Sequence, residues 1–151
     1  MRILIAAIGR AKAGPHLDLQ RHYAARLTAP LDIKELEERR KLPASERRTR
    51  EGELLLACLP ERAVVVALDE RGKGLTSAEF AEQIARWRQA APTVAFLIGG
   101  ADGHGEAVRA RADYLLALGT MTWPHLMVRA MLCEQLYRAQ QILAGHPYHR
   151  E

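Results

Sequence analysis

Five short apolar runs punctuate the chain, each followed by a stretch with helical spacing. Ile3–Ile8 is continuously apolar and closes on Gly9, which reads as a buried strand. Leu31–Leu36 alternates apolar and polar positions, the mark of a half-buried strand. Ala63–Leu68 is a β-branched run suited to a central strand covered on both faces, and Thr93–Ile98 is another. Asp113–Leu118 is the fifth.

Between the runs, Pro15 opens a helix with Leu17, Tyr23, Ala24 and Leu27 on one face, extending to about Thr28. Pro43 and Ser45 open a second helix, which runs through Glu53 and stops at Pro60. Thr76 and Glu79 form a capping-box pattern ahead of Phe80, Ile84 and Trp87, and Pro92 ends that helix. A short helix spans about Glu106–Ala112, and a long one follows Pro124 until Gly145 stops it. Strict β-α alternation with continuous apolar strands predicts an α/β fold with a mainly parallel sheet, as one domain over residues 1–151.

In open α/β sheets ligands collect at the carboxyl ends of the strands. Three such ends carry specialised loops: a Gly-rich turn over Asp69–Leu75, GGADGHG at 99–105 and GTMTWPH at 119–125. The first strand is followed by Gly9 and Gly14 but no GxGxxG, so the usual dinucleotide layout is absent. GGADGHG is not a P-loop. It could cradle an anion on backbone N–H groups or let a flat ligand approach the backbone, or it could be a turn feeding a helix.

The helix after Pro124 is apolar almost all round. Its polar positions are confined to Arg129 with Gln140, and Glu134 with Arg138 and Gln141. Such a helix needs cover on more than one side, which suggests a homodimer seam. Glu134 and Arg138, spaced i,i+4, form either an ordinary intrahelical pair or an arginine held to face a substrate. The chain then ends on His146, Pro147, Tyr148, His149, Arg150 and Glu151. These supply acid–base groups near neutral pH, a stacking plane in Tyr148, and in Arg150 a partner for phosphate or for a developing anion.

Composition narrows the classes. No apolar run approaches the length that spans a bilayer, and ILIAAIG at the start is too short for a secretory h-region. Cys58 and Cys133 lie in apolar helical patterns away from any CxxC, as expected of buried thiols in a reducing cytoplasm, and no His/Cys spacing suggests zinc or another metal. The net charge of +4 and a strong arginine bias lean towards an anionic or nucleic-acid partner. The charge-dense stretch Glu37–Arg50 reads either as a solvated helix start or as an arginine patch for phosphates. The glutamates at 35, 37, 38, 46 and 51 favour the first.

Four ordered motifs now coincide: IGGADG (98–103), MTWPHLMVR (121–129), EQLYRA (134–139) and HPYHRE (146–151). Together they resemble the bacterial large-subunit rRNA pseudouridine N3-methyltransferases of the SPOUT superfamily, closely over the last 60 residues or so and more loosely over the whole chain, including LDERGK and Glu51–Glu53. The resemblance implies a C-terminal deep trefoil knot, S-adenosylmethionine as cofactor, and a homodimer acting on 23S rRNA in the assembled 70S ribosome. It implies that the cofactor meets Leu68, Gly100 and the segment Gly119, Thr120, Met121, Thr122, Trp123 and Pro124. Many relatives carry a serine-rich segment near Gly119–Thr120, so contacts there would run through the backbone.

On that resemblance the nucleophile is N3 of a uracil-type ring, which must lose its proton. His149 is the candidate base, with Tyr148 next in line. Arg138 and Arg150 would stabilise the developing charge, and Glu134 would orient Arg138. The alternatives are a SPOUT enzyme with another RNA target and a non-catalytic ribosome-binding protein.

Overall fold

The computed structural model describes residues 1–150; Glu151, the last residue of the predicted tail, lies outside the described residues. Its elements run β1 (Arg2–Ile8), α1 (Pro15–Ala24), β2 (Leu31–Leu36), α2 (Ala44–Ala57), β3 (Ala63–Gly74), α3 (Ser77–Ala90), β4 (Thr93–Ile98), α4 (Glu106–Arg111), β5 (Tyr114–Ala117) and α5 (His125–Leu143). The strands form one sheet in the order β2-β1-β4-β3-β5, with every pairing parallel. This is the α/β fold with a parallel sheet that the alternation predicts.

The two sheet faces feed two cores. Ile3, Ile5, Val64, Val66, Val94 and Phe96 pack with Phe80, Ile84 and Trp87 of α3 and Leu132 and Leu136 of α5. Ala6, Ile8, Val65, Ala67 and Leu97 face Leu55 of α2 and Val108 of α4. Both faces of β1, β3 and β4 are therefore apolar, which is why their sequences read as unbroken runs. Trp87 anchors the first core with its ring edge-on to Phe96 (6.3 Å) and Tyr114 (5.4 Å).

The Thr76 capping box forms as predicted, with the Glu79 N–H on the Thr76 hydroxyl at 3.1 Å and the Thr76 N–H on the Glu79 carboxylate at 2.8 Å. Gly145, at φ +72°, ends α5. The His146 N–H reaches the Gln141 carbonyl (2.9 Å) and the Gly145 N–H that of Ile142 (3.1 Å), a Schellman closure. No helix among the described residues is long and apolar enough to cross a membrane.

Two expectations are corrected. The first helix ends at Ala24, four residues short of Thr28. Asp69–Leu75 is not a turn: β3 continues to Gly74. After a register break between Leu68 and Lys73, it pairs Lys73 with Leu116 and Gly74 with Ala117 of β5. Gly72 makes this possible, because a Cβ there would lie 2.6 Å from the Leu115 carbonyl. Polar composition hid the strand because β3 leaves the core at Leu68, where apolar side chains are no longer required.

Candidate active site

β4, β3 and β5 are neighbours in the sheet, so the Leu68–Arg71 part of β3 and the loops after β4 and β5 converge on one cavity of about 670 Å³. Its wall includes Leu68, Gly100, Gly119, Met121, Thr122, Trp123 and Pro124. Of the cofactor residues expected from the sequence, only the exposed Thr120 is not on this wall. The β5–α5 loop is held by its own side chains: the Trp123 indole N–H donates to the Leu118 carbonyl (2.9 Å) and the Thr122 hydroxyl to Glu70 (3.1 Å). Gly119 sits at φ +94°, a conformation that excludes most side chains.

The β4–α4 loop turns back on itself through a Gly103 N–H to Gly100 carbonyl bond of 3.0 Å. Gly100 lies against Ile8 and the Glu51 carboxyl, both within about 3.2 Å of where a Cβ would stand. Burial, with the nearby Asp102 charge, raises the Glu51 pKa.

The wall also carries groups that the glycine-centred reading of these loops overlooked. Asp69 accepts from Arg109 at 2.8 Å. Burial raises its pKa, but hydrogen bonds from the Arg71 N–H and Arg109 outweigh that, and its carboxyl stays below the ordinary value. His104, only 3% exposed, donates Nε2–H to the Leu97 carbonyl at 3.2 Å, and burial lowers its pKa. His125 opens α5 with its pKa lowered by burial and by the Arg129 charge. Arg129, placed on a polar patch by the helical wheel, is 1% exposed and binds inward to the Ile8 and Gly9 carbonyls (3.0 and 2.8 Å) and to Glu35 (2.6 Å). Its sequence signal was an arginine sharing a narrow polar patch with Gln140, which by itself does not say which way the side chain turns.

The tail residues form a second group. Glu134 accepts from Arg138 (2.6 Å) and from the Tyr148 hydroxyl (3.0 Å). Arg138 also reaches His149 Nδ1 (3.1 Å) and lies over the Tyr148 ring, 4.8 Å from its centroid. Tyr137 meets the same ring edge-on at 4.8 Å. Burial and the Glu134 carboxylate push the Tyr148 pKa up to about 12, so its phenol keeps its proton at neutral pH. The Tyr148 hydroxyl donates to Glu134 in this arrangement. Arg150 is exposed beyond this group.

None of Glu134, Arg138, Tyr148 or His149 lies on the large cavity's wall. Glu134 instead lines a smaller one of about 330 Å³ with Phe80 and Met131, which shares Leu116, Leu118 and Gly119 with the first. In the charged stretch Glu37–Arg50, Arg39, Arg40 and Arg50 are paired with Glu37, Glu38 and Glu53, which supports a solvated face there. Arg48 reaches the cavity wall.

The cavity thus lies in a five-stranded parallel sheet, between β3, the loop after β4 and the loop into the C-terminal helix. The family model described as "Predicted SPOUT methyltransferase" matches residues 1–149, and the chain belongs to that family. It is 60% identical over 151 residues to the ribosomal RNA large subunit methyltransferase H of Paramagnetospirillum magneticum, covering 99% of each chain. It is 56% identical, with the same coverage, to the proteins of that name from Rhodospirillum centenum and Rhodospirillum rubrum. Among solved structures, the SpoU methyltransferase AviRb from Streptomyces viridochromogenes, crystallised with AdoMet, shares the fold. The TM-score is 0.50 at 15% identity, over 93% of this chain and 58% of that one.

Proposed function

We propose that this chain transfers a methyl group from S-adenosylmethionine to N3 of a pseudouridine in 23S rRNA, on the assembled 70S ribosome and in the cytoplasm. The observation that carries the reading is the single cavity made by the ends of β3, β4 and β5, together with relatives over the full length that are named rRNA large subunit methyltransferases. At about 670 Å³ it is of the size that takes a nucleoside cofactor. Leu68, Ile98, Leu116 and Val128 offer apolar surface for a purine, and the glycines at 99, 100, 103 and 119 let it approach the backbone closely. When bound, the cofactor supplies a methyl group activated by a sulfonium. The C-terminal part would be threaded as a trefoil knot.

The protein's own contribution is orientation and charge. Leu68, Gly100 and the Gly119–Pro124 loop would hold the donor and exclude water beside it. Arg138 and Arg150 would face the pyrimidine oxygens, where negative charge develops as N3 loses its proton. Glu134 and Tyr148 position Arg138. Because this group stands off the cavity wall within one chain, a second copy is the economical way to bring it to a donor. The tail of one subunit would then close the cavity of the other, with α5 at the seam. Truncation after Gly145 tests the division of labour: methyl transfer to 70S ribosomes is lost while S-adenosylhomocysteine still binds by calorimetry. Normal transfer by the truncated protein would overturn it.

A further inference from the structure

α1 begins at Pro15 with no side chain capping it. The first backbone bond into the helix is from the Asp18 N–H to the Gly14 carbonyl (3.1 Å), and Pro15 has no N–H. The His16 and Leu17 N–H groups are therefore left without an acceptor among the described residues. A helix start of this kind favours an anion, but it is not a site by itself.

A second observation singles this one out. Gln20, one turn further along, is 6% exposed. It lies on the wall of a cavity of about 170 Å³, together with Lys12, His16, Leu17 and Leu126. Its amide has no hydrogen-bond partner among the described residues. A buried amide left unpaired is costly, so the cavity's occupant is what bonds it. The wall sets the sign of that occupant. Among the described residues no acidic side chain lines it, and the exposed Lys12 ammonium has no ion-pair partner. Asp18 is exposed and off the wall. Glu35 spends its carboxylate on the Ala11 N–H (2.7 Å) and on Arg129 (2.6 Å). Helix N–H groups, an amide and an ammonium thus converge on one space, the donor set for an oxyanion. The volume is well below the roughly 300 Å³ at which sites for whole ligands begin, so it takes a single group and not a nucleotide.

The place of the cavity in the fold points to the source of that group. Leu126 is on this wall, and His125, the residue before it, is on the wall of the large cavity. The two cavities meet across one peptide unit of α5. We infer that the cavity at the start of α1 is a phosphate site, bound by the His16 and Leu17 N–H groups, the Gln20 amide and the Lys12 ammonium, and that it takes a backbone phosphate of the RNA beside the target nucleotide. The second half rests on the proposed function. A strand that lays its base over the large cavity then sets a phosphate in the smaller one. That contact fixes register on the substrate without reading sequence.

Two measurements test it. In the first, inorganic phosphate replaces chloride at constant ionic strength around full-length ¹⁵N-labelled protein. The expected result is saturable shifts of the His16 and Leu17 amides and of the Gln20 side-chain amide, with binding weakened at least about tenfold in Gln20→Leu. Shifts that do not saturate, or that are unchanged in Gln20→Leu, overturn the site. The second measures KM for 70S ribosomes against salt concentration for the unaltered chain and Lys12→Met. A backbone phosphate predicts a higher KM and a log–log salt slope smaller by about 0.7–0.9, the share of one phosphate. S-adenosylhomocysteine affinity is the control and stays as it is, since neither Lys12 nor Gln20 lines the large cavity. Saturable phosphate binding with KM and slope unchanged in Lys12→Met assigns the site to a free anion and overturns the RNA half. An unaltered chain that methylates no ribosome refutes the proposed function instead, and the phosphate titration still decides the site.

Discussion

Arg129 in the second turn of α5 and Glu35 near the end of β2 meet at 2.6 Å, one side chain 1% exposed and the other 34%. The same guanidinium holds the Ile8 and Gly9 carbonyls, so a single residue fastens the C-terminal helix to the carboxyl ends of two strands. Arg129→Met leaves those carbonyls without their donor. The expected cost is about 3 kcal/mol, the scale for breaking a buried pair from one side. It is measured by urea unfolding with an unchanged m-value.

The same pair has an acid signature. Burial alone would raise the Glu35 pKa, but the Ala11 N–H and Arg129 outweigh it and hold it below the ordinary 4.5. A depressed carboxyl contributes stability above its unfolded pKa and loses it as pH falls through the folded one. Stability therefore declines below about pH 4.5, and that share of the slope is missing in Arg129→Met.

Gly72→Ala would place a methyl group 2.6 Å from the Leu115 carbonyl, with only backbone available to move. Overpacking of that kind costs about 1–3 kcal/mol. Thermal unfolding should show a lower Tm, and amide exchange should rise first in β3 and β5. At Gly100 the new methyl group meets Ile8 and Glu51, so Gly100→Ala shifts the loop that lines the cavity. The expected outcome is weaker S-adenosylhomocysteine binding by calorimetry, by about tenfold or about 1.4 kcal/mol, with a smaller change in unfolding.

Burial and the Glu134 carboxylate push the Tyr148 phenol up to about 12. A phenol with a raised pKa contributes stability below its unfolded value, lost as pH rises through the folded one. The tail should come off α5 as pH climbs from about 10 to about 12. Tyrosinate absorbance should show a component titrating near pH 12 in the unaltered chain that Tyr148→Phe lacks.

What the sequence reveals and what it conceals follow from physics. Local signals survive intact: the Thr76 capping box, the Gly145 stop and the doubly buried strands are written in adjacent residues. The loops after β4 and β5 that line the large cavity could be singled out because the carboxyl ends of parallel strands can be located in sequence. The sheet order β2-β1-β4-β3-β5 and the extension of β3 to Gly74 depend on pairings between distant segments, and no local pattern records them. The direction of Arg129 was hidden for the same reason: its partners lie 94 to 121 residues away. The tail's types were visible, but only geometry shows the Tyr148 hydroxyl donating to Glu134 and Nδ1 of His149 accepting from Arg138.

The most direct measurement is methyl transfer from labelled S-adenosylmethionine to 70S ribosomes taken from cells that lack this activity, with the product nucleoside identified by mass spectrometry. The account predicts N3-methylpseudouridine in 23S rRNA, formed on intact ribosomes and far less on free rRNA. Transfer to a different nucleoside, or none to ribosomes by a chain that binds S-adenosylhomocysteine, would contradict it.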